Sequence, residues 1–254
     1  MEAHSQRIQA LSAYSNDIAT FIVTNFHSNE FTISKKTDGS EVTNIDIEAE
    51  LLAKDSILEA FPSDGFLGEE NGEMRGTSGY RWIIDPIDGT ASFARGVPLF
   101  GTLLGLEFEG KPIAGIANLP AIDEVISAVI GQGSLHQNKM IAHVSETELL
   151  QDAMICTTSF DYFKQTNSES IYANLLDCGS SLRGWSDCFA YLLLCTGRID
   201  AVVEPLLHPW DIVPWLPIIA ESGGKYSEIA MGGVASNAII HDTLYHALHD
   251  DITN

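Results

Sequence analysis

The stretch WIIDPIDGTASF, residues 82–93, limits the possible folds of this chain more than any other feature. Its apolar beginning predicts a buried strand over residues 80–84. Asp85 and Asp88 follow at once, so two carboxylates stand where the strand leaves the core. Carboxylates this close repel each other unless they share a cation or take up protons. The stretch therefore predicts a strand that leads into a cation-binding site.

Mg²⁺ is the cation that suits this stretch. It prefers oxygen ligands from a few carboxylates, keeps several waters and leaves positions for a phosphate. Asp85 and Asp88 can bracket one ion or two, and the Ile87 carbonyl can point into the same space. Gly89 and Thr90 add backbone N–H groups at a turn or helix start, where such groups can bind a phosphate. A metal, a phosphate-binding site and a hydroxyl group together predict hydrolysis of a phosphoester.

Further carboxylates come from three other segments. Glu69 and Glu70 lie in the glycine-bounded loop LGEENG, Asp46 lies in the first turn of one predicted helix, and Asp211 opens another. Strand exits and helix starts present such groups to a shared crevice. Each acid also has a structural interpretation. Asp211 can be a plain N-cap, Asp46 can complete a capping box with Thr43, and the two glutamates can be solvated loop residues.

The pattern of apolar residues predicts one unit of 254 residues with two halves. The half over residues 1–149 has helices over residues 5–27 and from Thr43 to just before Pro62, and three strands within residues 99–131. The half over residues 150–254 has strands at AMICTTSF and IDAVVEP with a buried helix between them that stops at Gly197. A last helix opens at Asp211 and stops at Gly223 and Gly224.

Charge and composition narrow the class of protein. The chain has 35 acidic and 13 basic residues, for a formal net charge of −22, which disfavours nucleic acid and anionic membranes as partners. No uninterrupted apolar run reaches about 18 residues, and the N-terminal segment lacks a signal-peptide layout. Four cysteines without C-x-x-C spacing indicate reduced thiols, and the histidines show no clustered zinc-binding pattern. These features predict a cytoplasmic protein without a membrane span.

Three segments resemble the signature segments of the inositol monophosphatase superfamily of Mg²⁺-dependent phosphatases, in order and in spacing. They are GEENG, WIIDPIDGTASF and HPWDIVPWLPIIAESGG. Within that superfamily, the chain is most similar to the histidinol-phosphate phosphatase branch. The segments that carry this similarity are SFARGVPLFGTLLGL, RGWSDCFAYLLLCTGRIDAVVEP and ICTTSFDYF. Against that branch, Ala91 stands where Lys is frequent, Ser186 where Gly is usual, and Phe160 and Phe189 where Pro and Tyr are common.

The resemblance implies an α/β (α+β) fold, a layered α-β-α-β-α sandwich that is commonly a homodimer. It implies that two or three Mg²⁺ ions are bound by Glu69, Asp85, the Ile87 carbonyl, Asp88 and Asp211. It implies that Thr90 and Asp46 orient and deprotonate the attacking water, with Glu70 as a nearby acid. The amides of Gly89 and Thr90 would hold the phosphate. The residues facing the alcohol part of the substrate would be Asp88, Asp187, Glu204 and Asp211.

L-Histidinol phosphate is the substrate that this branch implies, and Asp187 and Glu204 would attract its amine and imidazole. Asp187 also has a structural interpretation, as the cap of a helix over residues 187–196 and a partner of Arg183. An inositol monophosphate, a sugar bisphosphate or a phosphoadenosine nucleotide are alternative substrates. A non-catalytic cation-binding protein is the alternative of a different class, and it would be expected to lack a ligand or Thr90. A Ca²⁺-binding module would need a D-x-D-x-D-G loop, which does not occur.

Overall fold

Two large β-sheets and the helices around them form the fold. A computed structural model describes residues 2–28, 30–37, 39–178 and 180–249. In these ranges the helices are α1 (Glu2–Ser28), α2 (Asn44–Ala60), α3 (Thr90–Ala94), α4 (Phe160–Gln165), α5 (Glu169–Asp177), α6 (Asp187–Cys195), α7 (Pro209–Ile212), α8 (Trp215–Glu221) and α9 (His241–His249). Short 3₁₀ turns span Pro120–Ile122 and Leu150–Asp152.

The strands are β1 (Ile33–Lys35), β2 (Glu41–Thr43), β3 (Gly65–Gly68), β4 (Gly72–Met74), β5 (Tyr80–Asp88), β6 (Gly101–Phe108), β7 (Lys111–Leu119), β8 (Glu124–Val129), β9 (Gly133–His136), β10 (Met140–Ile141), β11 (Met154–Thr157), β12 (Ser181–Arg183), β13 (Ala201–Glu204), β14 (Gly224–Ile229) and β15 (Gly232–Asn237). β1 and β2 pair as an antiparallel hairpin.

The first large sheet has eight strands in the order β10-β9-β8-β7-β6-β5-β3-β4. Its neighbours are antiparallel except for β3 and β5, which run parallel. The second sheet has five strands in the order β12-β11-β13-β15-β14. In it β11 runs parallel to both β12 and β13, and the remaining pairs are antiparallel.

Helices cover both sheets in layers, because successive side chains of a strand face opposite sides. On β6, Leu104 and Leu106 pack towards α1 and α2, whereas Leu103 packs on the other side with α6 and α8. On β13, Val202 packs towards α6 and α8, whereas Val203 packs towards α5 and α9. The order is therefore helices, sheet, helices, sheet, helices. The predicted α-β-α-β-α sandwich is confirmed.

Local signals in the sequence account for several helix ends. Thr43 caps α2, its side chain accepting the N–H groups of Ile45 and Asp46, and the carboxylate of Asp46 accepts the N–H of Thr43. This reciprocal pair is the predicted capping box. Helix α6 is followed by Gly197, whose φ of +70° is a conformation that glycine adopts at little cost. None of the helices in the described ranges combines the length and apolarity needed to cross a bilayer.

The helix expected to open at Asp211 is different in the structure. Helix α7 begins two residues earlier, at Pro209, with His208 as its N-cap, so Asp211 is its third residue and not its cap. Proline suits the first helical position because an N–H group there would have no partner within the helix, so its absence costs nothing. Val213 and Pro214 then separate α7 from α8. Pro214 has no N–H to bond the carbonyl four residues back, which interrupts the helix at this point.

Candidate active site

A cavity of about 720 Å³ brings the predicted site residues together. It is bounded by the end of β5, the start of α3, the start of α6, the end of β13 and the start of α7. The predicted residues in its wall are Glu69, Asp85, Ile87, Asp88, Gly89, Thr90, Asp187, Glu204 and Asp211. Asp46 and Glu70 stand directly behind the wall, where each contacts a residue that lines the cavity.

A β-bulge turns Asp85 and Asp88 towards the same cavity. Residues three apart on a regular strand face opposite sides. Here Asp85 pairs with Leu103 and Asp88 with Gly101, so two residues of β5 lie opposite the single Thr102 of β6. The extra residue in a bulge changes the direction of the side chains that follow it. Strand β5 thus continues through both aspartates, four residues beyond the predicted end at residue 84.

Burial and repulsion between neighbouring acids raise the pKa values of these carboxyls. Burial, with Glu69 and Asp88 nearby, holds the pKa of Asp85 well above its usual range. Burial, followed by Asp187 and Asp211, does the same to the pKa of Asp88. Burial also raises the pKa of Asp211 to about 7. The Oδ1 atom of Asp85 is buried and has no hydrogen-bond partner within the described part of the chain. In their ionised forms these acids would therefore be stabilised by a nearby positive charge, and without one they favour protonation.

Thr90 and Asp46 form a hydrogen-bonded pair at the wall. The Thr90 Oγ1 atom lies 2.9 Å from Oδ1 of Asp46 and 3.0 Å from the Ile87 carbonyl. The other oxygen of Asp46 accepts the N–H of Thr43 at 2.9 Å. Burial raises the pKa of Asp46, although the bonds from Thr43 and Thr90 act in the opposite direction. Asp46 is thus both the capping-box residue and the partner of Thr90.

Lys36 is a site residue that the sequence did not reveal. It follows β1, and its Nζ lies 2.5 Å from Glu69 and 2.6 Å from Glu70. Burial alone would lower the pKa of Lys36, but the hydrogen bonds to the two glutamates outweigh it and raise the pKa. The local sequence ISKKTDGS does not separate Lys36 from Lys35. An ammonium group therefore contacts the two loop acids.

Glu50 fixes the loop that carries Glu69 and Glu70, and it too was missed. This buried carboxylate of α2 accepts the N–H groups of Glu70 and Asn71, both at 2.7 Å. A Cβ on Gly68 would come within 2.2 Å of the Glu50 carboxylate, so a side chain at residue 68 would displace that carboxylate. The glycine-bounded loop is therefore positioned by backbone contacts to a buried acid, and its two glutamates are not simply solvated.

Asp187 does not have the predicted structural role. Ser186 is the N-cap residue of α6, without a side-chain capping bond, and Asp187 is the first helical residue with a φ of +57°. Its Oδ2 accepts the Ser186 hydroxyl at 3.1 Å. Arg183 donates to the Leu182 carbonyl at 2.7 Å, and the ion pairs of the described residues include none between Arg183 and Asp187. The carboxylate therefore faces the cavity without a basic partner from that strand.

Glu204 stands near Asp187 in the same wall. The hydroxyl of Tyr191 donates to its carboxylate at 3.0 Å. Burial, followed by the charge of Asp187, raises the pKa of Glu204 to about 8. Trp210 also lines the cavity and stacks on His208, with ring centroids 5.0 Å apart. This end of the cavity is acidic and partly aromatic.

The donor set fits a hard divalent cation. It consists of carboxylates and a backbone carbonyl, which are the ligands that Mg²⁺ prefers. Burial and neighbouring acids raise the pKa values of Asp85, Asp88 and Asp211, so a bound cation would stabilise their ionised forms. Among the described residues, however, no three acidic, His or Cys side chains already stand as a metal-holding group. Side chains such as that of Glu69, which contacts Lys36, would have to move to bind a metal.

Comparison with known proteins identifies the relatives of this chain. The model of the inositol monophosphatase family matches residues 4–250. A histidinol-phosphatase from Chlorobaculum parvum is 37% identical over 192 residues, which are 76% of this chain and 74% of the relative. An inositol-1-monophosphatase from Rhizobium meliloti is 31% identical over 206 residues, covering 79% of this chain and 77% of the relative.

The fold is also that of solved structures. The crystal structure of the extragenic suppressor protein suhB from Bartonella henselae superposes with a TM-score of 0.88 at 27% identity, covering 97% of this chain and 100% of the other. The family match and these relatives agree with the three signature segments and the layered sandwich. The chain therefore belongs to the inositol monophosphatase family, and it is a phosphatase of that type.

Proposed function

We propose that this phosphatase hydrolyses a small phosphorylated alcohol in a Mg²⁺-dependent reaction, with L-histidinol phosphate as its preferred substrate. The products would be L-histidinol and phosphate, which places the enzyme in histidine biosynthesis. The observation that carries the choice of substrate is the acidic wall of Asp187 and Glu204. The relative at 37% identity that is named histidinol-phosphatase supports the same choice.

The proposed ligands for Mg²⁺ are Glu69, Asp85, the carbonyl of Ile87, Asp88 and Asp211, with two or three ions per site. When bound, Mg²⁺ lowers the pKa of a water molecule and stabilises the negative charge of the phosphoryl group. Asp85 has a specific reason to take part, because its buried Oδ1 atom has no hydrogen-bond partner among the residues that the structure describes.

Thr90 and Asp46 would remove the proton of the attacking water. The Thr90 hydroxyl can accept a hydrogen bond from water while its own proton points to Asp46, 2.9 Å away. The raised pKa of Asp46 makes this carboxylate a stronger base than an exposed aspartate. Glu70, which burial gives a pKa of about 7, would act as a nearby acid that keeps the loop and Lys36 in place.

Gly89 and Thr90 would hold the phosphate through their N–H groups at the start of α3. A Cβ on Gly89 would lie 2.9 Å from the Leu99 carbonyl and 3.5 Å from the carboxylate of Asp187, and its φ is +88°. Glycine adopts this conformation at little cost, and a side chain at this position would crowd the Leu99 carbonyl.

Four acids would face the rest of the substrate: Asp88, Asp187, Glu204 and Asp211. A protonated amine or imidazole beside Glu204 would favour the ionised form of this group, whose pKa burial raises to about 8. A neutral polyol would gain less from the same wall. The acidic wall therefore selects for a cationic alcohol.

Inositol 1-phosphate is the second candidate substrate, along with other small sugar or polyol phosphates. The observation that favours it is the relative named inositol-1-monophosphatase, which is 31% identical. Hydroxyl groups of a polyol can donate to the carboxylates of Asp88 and Glu204, so the same cavity accepts both classes.

A phosphate-release assay distinguishes the two. Histidinol phosphate, inositol 1-phosphate, fructose bisphosphate and phosphoadenosine phosphate are compared at equal Mg²⁺, with an Asp88→Asn variant as the blank. The highest kcat/KM is expected for histidinol phosphate. A wide preference for inositol 1-phosphate would overturn the choice of substrate but leave the metal chemistry intact. We also propose a cytoplasmic homodimer, for which light scattering should give twice the 27.6 kDa chain mass.

A further inference from the structure

Two glycines lie side by side on the inner face of the eight-stranded sheet. Gly105 of β6 pairs with Gly115 of β7, and on its other side Gly105 pairs with Ile83 of β5. Neither glycine has a positive φ, so the backbone conformation does not require glycine at either position. Strand interiors rarely gain from glycine unless another chain segment comes close.

The turn at Pro214 is that close segment. A Cβ on Gly115 would lie 1.9 Å from the carbonyl oxygen of Pro214 and 2.8 Å from its carbonyl carbon. Ordinary contact begins at 3.4 Å, so the oxygen would have to move by about 1.5 Å. A Cβ on Gly105 would lie 3.2 Å from Cα and 3.3 Å from Cγ of the same proline. The turn can therefore lie this close to the sheet because residues 105 and 115 have no side chains.

The turn links the sheet to Asp211. Pro214 joins α7, which carries Asp211, to α8, and both helices contact strands of this sheet. Ile83, the partner of Gly105, precedes Asp85 by two residues and therefore lies on the same face of β5. The Pro214 turn, which follows Asp211, therefore packs on β6 and β7 next to the face of β5 that carries Ile83 and Asp85.

We propose that Gly105 and Gly115 are positioning residues that set the height of Asp211 above Asp85 and Asp88. The proposal rests on the proposed function, in which Asp211 and the two aspartates of β5 bind Mg²⁺ together. A side chain at either glycine lifts the Pro214 turn, and with it α7, away from the sheet. A misplacement of 1 Å in such a site can cost about 100-fold in rate.

The test uses the full-length protein and Mg²⁺ alone as the probe. Calorimetry measures the Mg²⁺ affinity of Gly105→Ala and Gly115→Ala without substrate, and phosphate release gives kcat and KM. We expect at least a tenfold loss of Mg²⁺ affinity for Gly115→Ala and a smaller loss for Gly105→Ala. Where Gly115→Ala does not fold, Gly105→Ala decides the question, because its contacts are longer.

A third glycine provides a matched control. A Cβ on Gly224 would lie 2.9 Å from the side chain of Ile219 and would therefore crowd α8, and its three nearest atoms belong to Ile219 and Ser236 and not to Pro214. Gly224→Ala should lower the melting temperature while the folded protein keeps its Mg²⁺ affinity. If Gly105→Ala behaves like Gly224→Ala, the pair is ordinary packing and the proposal is wrong.

A rescue experiment separates the two glycines. The crowding at Gly105 includes the proline ring atom Cγ at 3.3 Å, besides the backbone Cα at 3.2 Å and N at 3.3 Å, whereas the three nearest atoms at Gly115 all belong to the backbone. Adding Pro214→Ala should restore part of the Mg²⁺ affinity of Gly105→Ala but none of that of Gly115→Ala, each compared with Pro214→Ala alone. Equal rescue of both would contradict the geometry proposed.

Failure of the proposed function gives a different result. If the wild-type protein neither binds Mg²⁺ nor releases phosphate, the metal site itself is wrong and the role of the glycines falls with it. If the wild type does both and the glycine variants match it, only the positioning role is wrong.

Discussion

The hydroxyl of Thr90 at the start of α3 lies 2.9 Å from the carboxylate of Asp46 in the first turn of α2, although the two residues are 44 positions apart. The contact joins two helix starts that the sequence alone places in separate elements. Because Asp46 is held from its other side by Thr43, its position is fixed before any substrate binds.

Replacing Thr90 by alanine should lower kcat by about 100-fold or more and change KM little. Proton removal by a positioned group contributes in this range, and in the proposed mechanism the contact acts on the attacking water and not on substrate binding. Steady-state kinetics measure both constants. Thr90→Ser keeps the hydroxyl and should keep most of the rate. An unchanged kcat in Thr90→Ala would make Thr90 a turn residue only.

Replacing Asp85 by asparagine should abolish activity without unfolding the protein. In the metal-free protein the variant should be at least as stable as the wild type, because burial and neighbouring acids already penalise the charge of Asp85. Thermal melting with and without Mg²⁺ measures this. Mg²⁺ should raise the melting temperature of the wild type by mass action, but raise that of Asp85→Asn much less. Full turnover of the wild type in excess chelator would refute the metal site.

In the metal-free protein, the free energy of unfolding of Glu204→Gln relative to that of the wild type should increase as the pH rises. Burial raises the pKa of Glu204 from 4.5 to about 8, so the folded protein binds this proton more tightly than the unfolded chain does. The stability that comes from this proton is full below pH 4.5 and is lost as the pH rises towards 8. Glutamine does not titrate and avoids this loss.

Melting temperatures in chelator, taken between pH 5 and pH 8, measure the effect of Glu204. Each pKa unit corresponds to about 1.4 kcal/mol, and 1 kcal/mol shifts the melting temperature of a chain of this size by about 2–4 °C. The gap between Glu204→Gln and the wild type should therefore widen by several degrees over this range. A gap that stays constant would mean that Glu204 ionises as freely in the folded protein as in the unfolded chain.

Replacing Asp187 by asparagine should lower kcat/KM for histidinol phosphate. The loss should correspond to about 1–3 kcal/mol of transition-state stabilisation, the range for a hydrogen bond to a charged group. Glycerol 2-phosphate, which has no cationic group, should suffer much less. Asp161→Asn is the matched control, because it removes the same charge from an exposed position on α4. Equal losses on both substrates would show that Asp187 acts on the fold of the wall and not on the charge of the substrate.

The sequence predicted those parts of the molecule whose residue types carry their own signal. Helix α2 follows from Thr43 and Asp46, strands β6 to β8 follow from their apolar runs, and the site acids follow from their place at strand and helix ends. The β1–β2 hairpin has no such signal, because all three residues of β1 are exposed and show no alternation. Lys36 enters the site through that hairpin, which explains why it was missed.

Other elements were missed because tertiary packing decides them. Strand β15 is buried along its whole length although its sequence is GGVASN, which contains a single β-branched residue. It lies between β13 and β14, and its pairing partners make it a strand. The start of α7 was misplaced because Asp211 also satisfies the rule for an N-cap, whereas His208 and Pro209 actually form the first turn.

In the proposed metal site, a cation that binds Glu69 would displace the ammonium group of Lys36 from that carboxylate. Metal binding at this loop would then be an exchange of one cation for another at Glu69. The affinity then measures a difference between two cations, one of which is tied to the chain by the β1–β2 hairpin. Lys36 would keep its contact with Glu70, 2.6 Å away, so the β1–β2 hairpin would stay joined to the loop after the exchange.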